Sequence, residues 1–297
     1  MVNIIPLHQQ FCQYALVFKN NSPRTIRSMR FGFLDFIRTM EIDFLEQLDK
    51  ATIEEFLIQG RLDRKWTAKT TRNHLQYISI FLDWCVKEGH IKENFSKLIP
   101  KPKVSRKLPS SLNKEQALSL IDWTENYPYH FSFERYRATA IIATFIFTGI
   151  RLQELYNLKI VDVDFISKTL TVRSGKGNKD RVIPLNIRLI TILKEYIRER
   201  AKKNRTCPYF FVSLKKNDKM GQTTVRKLVT KLKEASGIQF YPHLLRHTFA
   251  TLMLEGGCDI YSLSKMLGHS DITTTTLYLS ASVTHLQKQI HKHPLCW

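Results

Sequence analysis

Apolar residues along residues 1–95 recur at the spacing of α-helices. Ser22 followed by Pro23 predicts the start of a helix, because serine caps a helix and proline fits its first turn. Thr52, three residues before a glutamate, indicates a capping box, and Thr67 predicts the start of a longer helix. No strand-like alternation occurs in this segment. We therefore predict a helical domain of four or five helices.

Residues 96–111 have a different composition. This segment, SKLIPKPKVSRKLPSS, contains three prolines and five basic residues but few apolar ones. Proline interrupts regular structure and stiffens the chain, so the segment is predicted to link domain 1–95 to domain 112–297.

The second domain is predicted to be mostly helical with a small sheet. Asn113 is a candidate cap for a helix that runs to about residue 126, and an apolar run predicts a buried helix at 133–147. In KTLTVRSGKGNKDRVIPL the apolar residues alternate on both sides of a Gly/Asn-rich turn, which indicates a β-hairpin. Further predicted elements are a short β segment at Tyr209–Val212 and helices at 187–203, 222–236, 243–255, 259–267 and 271–280.

The charge of the chain indicates a polyanionic partner. The net charge is +20 with an isoelectric point near 9.8, and basic residues exceed acidic ones in both halves. Such a basic balance is the electrostatic footprint of nucleic-acid binding, although lysines can also serve only to keep a protein soluble.

The remaining composition argues against a secreted or membrane protein. The five cysteines are scattered and form no C-x-x-C pair, so neither a disulfide framework nor a zinc site is predicted. The N-terminus does not resemble a signal peptide, and the apolar run at 138–150 is too short to cross a bilayer. We expect a cytoplasmic protein without a membrane partner.

One set of residues suggests a specific reaction. The segment HLLRHTFATLMLEGGCDIYSLSKMLGHSDITTTTLY contains a tyrosine, an arginine and two histidines, and two further cations precede it. Transesterification of a phosphodiester needs a hydroxyl nucleophile, cations to neutralise phosphoryl oxygens, and groups that transfer protons. The candidates are Arg151, Lys176, His243, Arg246, His269 and Tyr278.

Each candidate also has an ordinary structural interpretation. Buried tyrosines such as Tyr278 usually only pack, and Arg151 could form a surface ion pair with Glu154. Lys176, in the glycine-rich turn, could be a solvated charge, and Lys179 is a rival for its role.

The two candidate histidines also have ordinary structural interpretations. Gly268 is predicted to end a helix, so His269 would lie in a turn and could serve only as a cap. His243 and Arg246 are three residues apart and would share one helix face, but this spacing occurs in many proteins.

Together with their flanking residues, these positions resemble the tyrosine recombinase (phage integrase) family, and most of all its simple Xer-type members. The matching motifs are TGIRLQEL at 148–155, GKGNKDRVIPL at 175–185, HLLRHTFAT at 243–251, LGH at 267–269 and TTTTLY at 273–278. The resemblance extends over the whole chain.

The resemblance implies a mainly α fold with two domains. A helical, SAM-like core-binding domain would be followed by an α-rich catalytic domain with the DNA breaking-rejoining fold, and the two would form a C-shaped clamp on DNA. It further implies site-specific recombination of double-stranded DNA at inverted-repeat core sites. A homotetramer, or a heterotetramer with a second recombinase, would act through a Holliday junction.

The resemblance also implies a role for each candidate residue. Arg151 and Arg246 would clamp the scissile phosphate, and Tyr278 would form a 3′-phosphotyrosine. Lys176 would protonate the departing 5′ oxygen, His243 would exchange the tyrosine proton, and His269 would orient the phosphate. Because the phosphotyrosine conserves the bond energy, no ATP, metal or other cofactor is expected.

The sequence leaves alternatives open for the function and for the C-terminal tail. A type IB topoisomerase resembles this family in its Arg/Lys/Arg/His/Tyr site, a non-cutting DNA-binding relative would need no nucleophile, and an RNA-binding scaffold would use exposed aromatic residues. The C-terminal tail, with Val283, Leu286 and Ile290 at helical spacing, could fold back on its own domain or dock on a neighbouring protomer.

Overall fold

The computed structural model describes residues 1–104, 110–173, 180–268 and 275–276. The chain divides into two compact units, Met1–Arg106 and Lys107–Trp297. The division falls inside the segment predicted as a linker. The beginning of that segment packs into the first unit, because Ser96 and Ile99 are buried there around a short 3₁₀ helix, Phe95–Leu98.

The helices of the first unit begin at residues that cap them. Ser22 and Thr67 accept hydrogen bonds from the backbone N–H groups three residues ahead, as predicted. The prediction that Thr52 caps the third helix is wrong: the cap is Asp49, whose carboxylate accepts from both the N–H and the hydroxyl of Thr52 at 2.7 Å. The helices are α1 (Ile4–Val17), α2 (Pro23–Thr39), α3 (Lys50–Leu62) and α4 (Ala68–Lys87).

Aromatic rings fill the core of the first unit. Phe33 and Phe81 are completely buried and meet edge to face, with ring centroids 4.6 Å apart. The buried imidazole of His8 stacks on Phe33 at 4.1 Å and contacts the Cys12 thiol. Burial, with a smaller effect of the Arg30 charge, lowers the pKa of His8 from 6.5 to about 4. His8 is therefore a neutral core residue at neutral pH.

The second unit is mostly helical with a small three-stranded antiparallel sheet, so the predicted mainly α fold is confirmed. The strands are β1 (Val163–Asp164), β2 (Thr169–Val172) and β3 (Arg181–Pro184), in the order β1-β2-β3. Leu170 lies opposite Ile183, and both are buried, as expected for the predicted hairpin. The helices are α5 (Lys114–Asn126), α6 (Ser132–Thr148), α7 (Leu152–Asn157), α8 (Ile187–Lys202), α9 (Gln222–Ser236), α10 (Pro242–Glu255) and α11 (Ile260–Leu267).

Helix α6 lies at the centre of this unit. Its residues from Ala138 to Ile146 are all buried, and it packs against α5, α8 and α10. Its apolar character thus reflects burial within the protein, and no helix in the described residues is both long and apolar enough to span a membrane. The segment predicted as a short strand at Tyr209–Val212 makes only isolated bridges, from Tyr209 to Lys159 and from Val212 to Lys219.

Candidate active site

The end of α6 places Arg151. Gly149 ends the helix in the left-handed conformation, with φ of +60°, and a Cβ there would meet a ring carbon of Phe249 at 2.5 Å. Arg151 then precedes the first turn of α7. Its Nη1 donates to Glu154 Oε1 at 2.9 Å, and its backbone N–H donates to Glu154 Oε2 at 2.7 Å. The ion pair considered as the ordinary role of Arg151 thus exists, but it is not a surface pair, because the side chains of Arg151 and Glu154 are only 24% and 9% exposed.

Arg246, on α10, reaches the end of α6 although it is 97 residues away from Gly149 in the sequence. It is only 3% exposed, and its Nη1 donates to the carbonyl oxygen of Gly149 at 2.7 Å. Its Nη2 donates to the carbonyl oxygen of Leu267 at 2.6 Å. The guanidinium of Arg246 therefore lies at the end of α6, bound to the carbonyl of Gly149, two residues before Arg151.

Three consecutive carbonyl groups at the end of α11 each accept a hydrogen bond from a different arginine. Met266 accepts from Arg181 Nε at 2.8 Å, Leu267 accepts from Arg246, and Gly268 accepts from Arg151 Nη2 at 3.2 Å. The last carbonyls of a helix have no partners within the helix and carry partial negative charge. Cations from three distant positions thus stabilise the end of α11.

Arg181 and Glu154 form a buried ion pair beside these carbonyls. Arg181 Nη1 and Nη2 donate to Glu154 Oε1 and Oε2 at 2.8 and 2.7 Å, and the side chains are 7% and 9% exposed. Burial by itself would raise the pKa of the Glu154 carboxyl, but the hydrogen bonds and charge of Arg181, followed by the hydrogen bonds from Arg151, lower it to about 2. Glu154 is therefore ionised at neutral pH and shared between two arginines.

His243 is the second residue of α10; it is exposed as a whole residue, although the protein covers part of its side chain. Partial burial, then the charges of Arg246 and Arg151, lower the pKa of His243. The pKa of His247 is lowered as well, by burial and then by the charges of His243 and Arg246. The ring centroids of His243 and His247 are 6.3 Å apart. A neutral imidazole beside two guanidinium groups is able to accept a proton.

The structure therefore brings together three of the six candidates: Arg151, His243 and Arg246. The other three, Lys176, His269 and Tyr278, lie outside the described residues, as do Lys179 and the C-terminal tail. The described chain nevertheless leads up to one of them. Gly268 ends α11 with φ of +65°, as predicted, and directly precedes His269. In the described residues no group of His, Cys, Asp or Glu side chains could hold a metal ion.

Sequence reasoning overlooked Arg181. The sequence pattern does indicate that Arg181 points inward, because Arg181 and Ile183 are two residues apart on one strand and so share a face. A charged residue on an inward face needs a partner. The sequence alone does not identify that partner as Glu154, which is 27 residues away.

Comparison with known proteins agrees with the motifs. The model of the phage integrase family matches residues 110–285, more than half of the chain. The tyrosine recombinase XerD of Staphylococcus haemolyticus is 30% identical over 302 residues, which cover 96% of this chain and 98% of that protein. The tyrosine recombinase XerA of Pyrococcus furiosus is 38% identical over 193 residues, and the chain spans only 64% of that relative's length.

A solved structure shows the same fold. The crystal structure of the XerH site-specific recombinase bound to its palindromic difH substrate, in a post-cleavage complex, matches with a TM-score of 0.76. The match covers 96% of this chain and 83% of that one at 24% identity. The family model and the XerD relative thus confirm the Xer-type resemblance predicted from the motifs, and the chain belongs to the phage integrase family of tyrosine recombinases.

Proposed function

We propose that this chain is a site-specific DNA recombinase that cuts and rejoins DNA through a 3′-phosphotyrosine. The observation that carries the proposal is the convergence of Arg151 and Arg246, together with His243, at the end of α11. Two guanidinium groups held by carbonyl oxygens form a preorganised cationic site, which suits a phosphoryl group that gains charge in the transition state.

The two arginines have the properties of a phosphate clamp. Arg246 is fixed by two backbone carbonyls, and Arg151 is fixed by Glu154 and a third carbonyl while its side chain stays partly exposed. Such fixed donors do not have to reorganise during the reaction, so they stabilise the developing charge more than mobile lysines would. The basic charge of the chain, +20 overall, supports a DNA substrate.

In the proposed reaction, the Tyr278 oxygen bonds to the phosphorus while the bond from phosphorus to the 5′ oxygen breaks. The tyrosine proton passes to His243, whose lowered pKa keeps the imidazole neutral and able to accept it. Lys176 donates a proton to the departing 5′ oxygen, and His269 orients the phosphate. Rejoining reverses these steps on the partner strand. Since each step exchanges one phosphodiester for another, ATP is not needed, and the arginines supply the charge that a metal would supply.

Four protomers acting in pairs on inverted-repeat sites would carry out the two successive strand exchanges, through a Holliday junction. Each DNA site would bind two copies of the chain, and pairing two sites would bring four copies together. Many phosphate contacts should make the binding fall steeply as the salt concentration rises.

Covalent attachment to DNA tests the proposal. Duplexes that bind the wild-type chain would first be selected from a randomised pool and then nicked at successive positions. A nick beside the cleaved bond lets the short product diffuse away and traps the adduct, which denaturing gels reveal. We expect the wild type to form an adduct and Tyr278→Phe to form none while binding DNA with unchanged affinity.

Tyr261→Phe is the matched control, because Tyr261 is an exposed tyrosine on α11 in the same unit. It should form the adduct at the wild-type rate. An adduct with Tyr278→Phe would exclude that nucleophile. If the wild type forms no adduct on any selected and nicked duplex, the chain is a DNA-binding relative that does not cut.

A further inference from the structure

Arg181 connects three segments that carry candidate residues. It lies on β3, five residues after Lys176, and it binds both Glu154, which holds Arg151, and the carbonyl of Met266, three residues before His269. We infer that Arg181 is a positioning residue for the reaction proposed above, on which this inference rests. It fixes Arg151 and the end of α11 in the arrangement that cleavage requires, and acts only through them.

The contacts of Arg181 use its whole guanidinium group. Nε donates to Met266, and Nη1 and Nη2 donate to the two oxygens of Glu154. These hydrogen bonds have fixed relative directions because the guanidinium is planar. The Glu154 carboxylate and the end of α11 are therefore held at a fixed distance and orientation to each other. A lysine would keep the charge but could not hold both partners at these angles.

Arg181 also packs directly on the residue before His269. A Cβ built on Gly268 would lie 2.7 Å from Arg181 Cδ and 3.1 Å from its Nε. The side chain therefore fills the space beside the left-handed turn that ends α11. If it is removed or shortened, the turn is no longer supported on that side.

The shared carboxylate explains why the effect should reach Arg151. Glu154 Oε1 accepts from both Arg181 and Arg151, and Oε2 accepts from Arg181 and from the Arg151 backbone. Without Arg181, Glu154 loses two of these hydrogen bonds and keeps only those from Arg151, so its carboxylate is no longer fixed relative to β3 and α11. The position of the Arg151 guanidinium then changes, and a displacement of about 1 Å at a reacting centre is enough to slow a reaction on the order of 100-fold.

Burial separates this role from DNA binding. The Arg181 side chain is 7% exposed, whereas the neighbouring hairpin arginine, Arg173, is 57% exposed and pairs with Asp162 at 2.6 Å. The two residues thus provide a matched comparison: both are arginines at the hairpin and both pair with a carboxylate, but only Arg181 reaches Glu154 and α11.

The test compares Arg181→Lys and Arg181→Met with Arg173→Lys and Arg173→Met in the full-length chain. Three quantities would be measured: the single-turnover rate of adduct formation on the selected nicked duplex, the Kd for that duplex, and the Tm. We expect Arg181→Lys to slow adduct formation about 10-fold and Arg181→Met about 100-fold. The Kd should stay within about 2-fold, and both Arg173 variants should cleave within about 2-fold of the wild type.

A double variant adds a readout that a purely structural role would not move. Glu154→Gln should slow adduct formation by no more than Arg181→Met does, because Arg181 also holds the end of α11. The double variant should be no slower than Arg181→Met, because the two residues act on Arg151 through the same ion pair. Multiplication of the two effects would overturn the inference.

The experiment distinguishes failure of this inference from failure of the proposed function. Wild-type adduct formation with an unchanged rate in Arg181→Lys and Arg181→Met overturns the inference and leaves the proposed function intact. The inference is also overturned if the Arg181→Lys rate falls only in parallel with the Tm and the DNA affinity. Absence of an adduct in the wild type sinks the proposed function, and this inference with it.

Discussion

In the first unit His8 is buried without a charge against Phe33, whereas in the second unit Arg181, Arg246 and Glu154 are buried as ions. The first arrangement avoids the cost of a buried charge by removing the charge. The second offsets that cost with short hydrogen bonds to carboxylate and carbonyl oxygens. The comparison separates a core that provides stability from a cluster that keeps charges in place for chemistry.

The largest effect should come from the aromatic core. Phe33→Ala removes a completely buried ring on which His8 stacks, and we expect it to lower the free energy of unfolding by about 3–5 kcal/mol. Hydrogen exchange with mass spectrometry would locate the loss. Peptides of the first unit should exchange faster, while those around Arg246 should not. Equal acceleration in both units would show that the two cores are not separate.

A slightly smaller effect should appear in the charged cluster, as lost activity. Arg246→Gln removes a donor from the proposed phosphate clamp and should slow adduct formation about 100- to 1000-fold. Arg137→Gln is the control, since Arg137 is also a buried arginine of the second unit that donates to a carbonyl, that of Val212 at 2.8 Å. Both variants should lose stability, but only the first should lose cleavage. Similar rates for the two variants would contradict a special role for Arg246.

Acid should affect the two units in different pH ranges. His8 binds a proton more tightly in the unfolded chain, so its contribution to stability is complete above pH 6.5 and falls by about 3 kcal/mol as the pH drops to about 4. The pKa of Glu154 is also lowered, but from 4.5 to about 2, so its contribution persists down to about pH 4.5 and is lost as the pH falls toward 2. Denaturant titrations across pH 4–7 would measure the first change.

His8→Leu should remove the contribution of His8, about 3 kcal/mol between pH 7 and 4. The pH dependence that comes from His74, His243 and His247, whose pKa values are also lowered, should remain. Glu154→Gln should leave the pH dependence above pH 4.5 intact. A wild-type stability that is flat between pH 7 and 5 would mean that His8 is not buried in the neutral form.

The smallest effect should come from an exposed ion pair of the first unit. Arg64 and Asp35 are 2.8 Å apart, close to the spacing of the Arg181–Glu154 pair, but their side chains are 40% and 37% exposed. Arg64→Gln should therefore change the free energy of unfolding by less than about 1 kcal/mol in denaturant titrations. A larger loss would show that burial is not what distinguishes the two pairs.

Features that depend on local chemistry could be predicted from the sequence. Ser22, Thr67 and Asn113 cap helices because their side chains reach backbone N–H groups only three residues away. The hairpin and the glycine end of α11 follow from short patterns of the same kind. Asp49 was missed because two polar residues three positions apart, Asp49 and Thr52, could each begin the same helix. In the structure the Asp49 carboxylate accepts two hydrogen bonds from Thr52.

Features that depend on contacts between distant residues could be predicted only in part. The motifs identified Arg151 and Arg246 as a pair, but no spacing along the chain shows that Leu267 and Gly268 hold them. Arg181 was missed for the same reason, because its importance lies in Glu154 and Met266, which are far from it in sequence. The roles of Lys176, His269 and Tyr278 remain predictions.

The arginine-capped end of α11 has a consequence for the order in which the chain folds. Its carbonyls find their partners only after residues 151, 181 and 246 have been brought together. Contacts across such long stretches of sequence form late in folding, because closing the intervening loops costs chain entropy first. The chain that leads to Tyr278 leaves from this end. Under the proposed function, we therefore expect a nascent or partly folded chain to form no covalent adduct with DNA, because the arginines that would hold the phosphate are not yet in place.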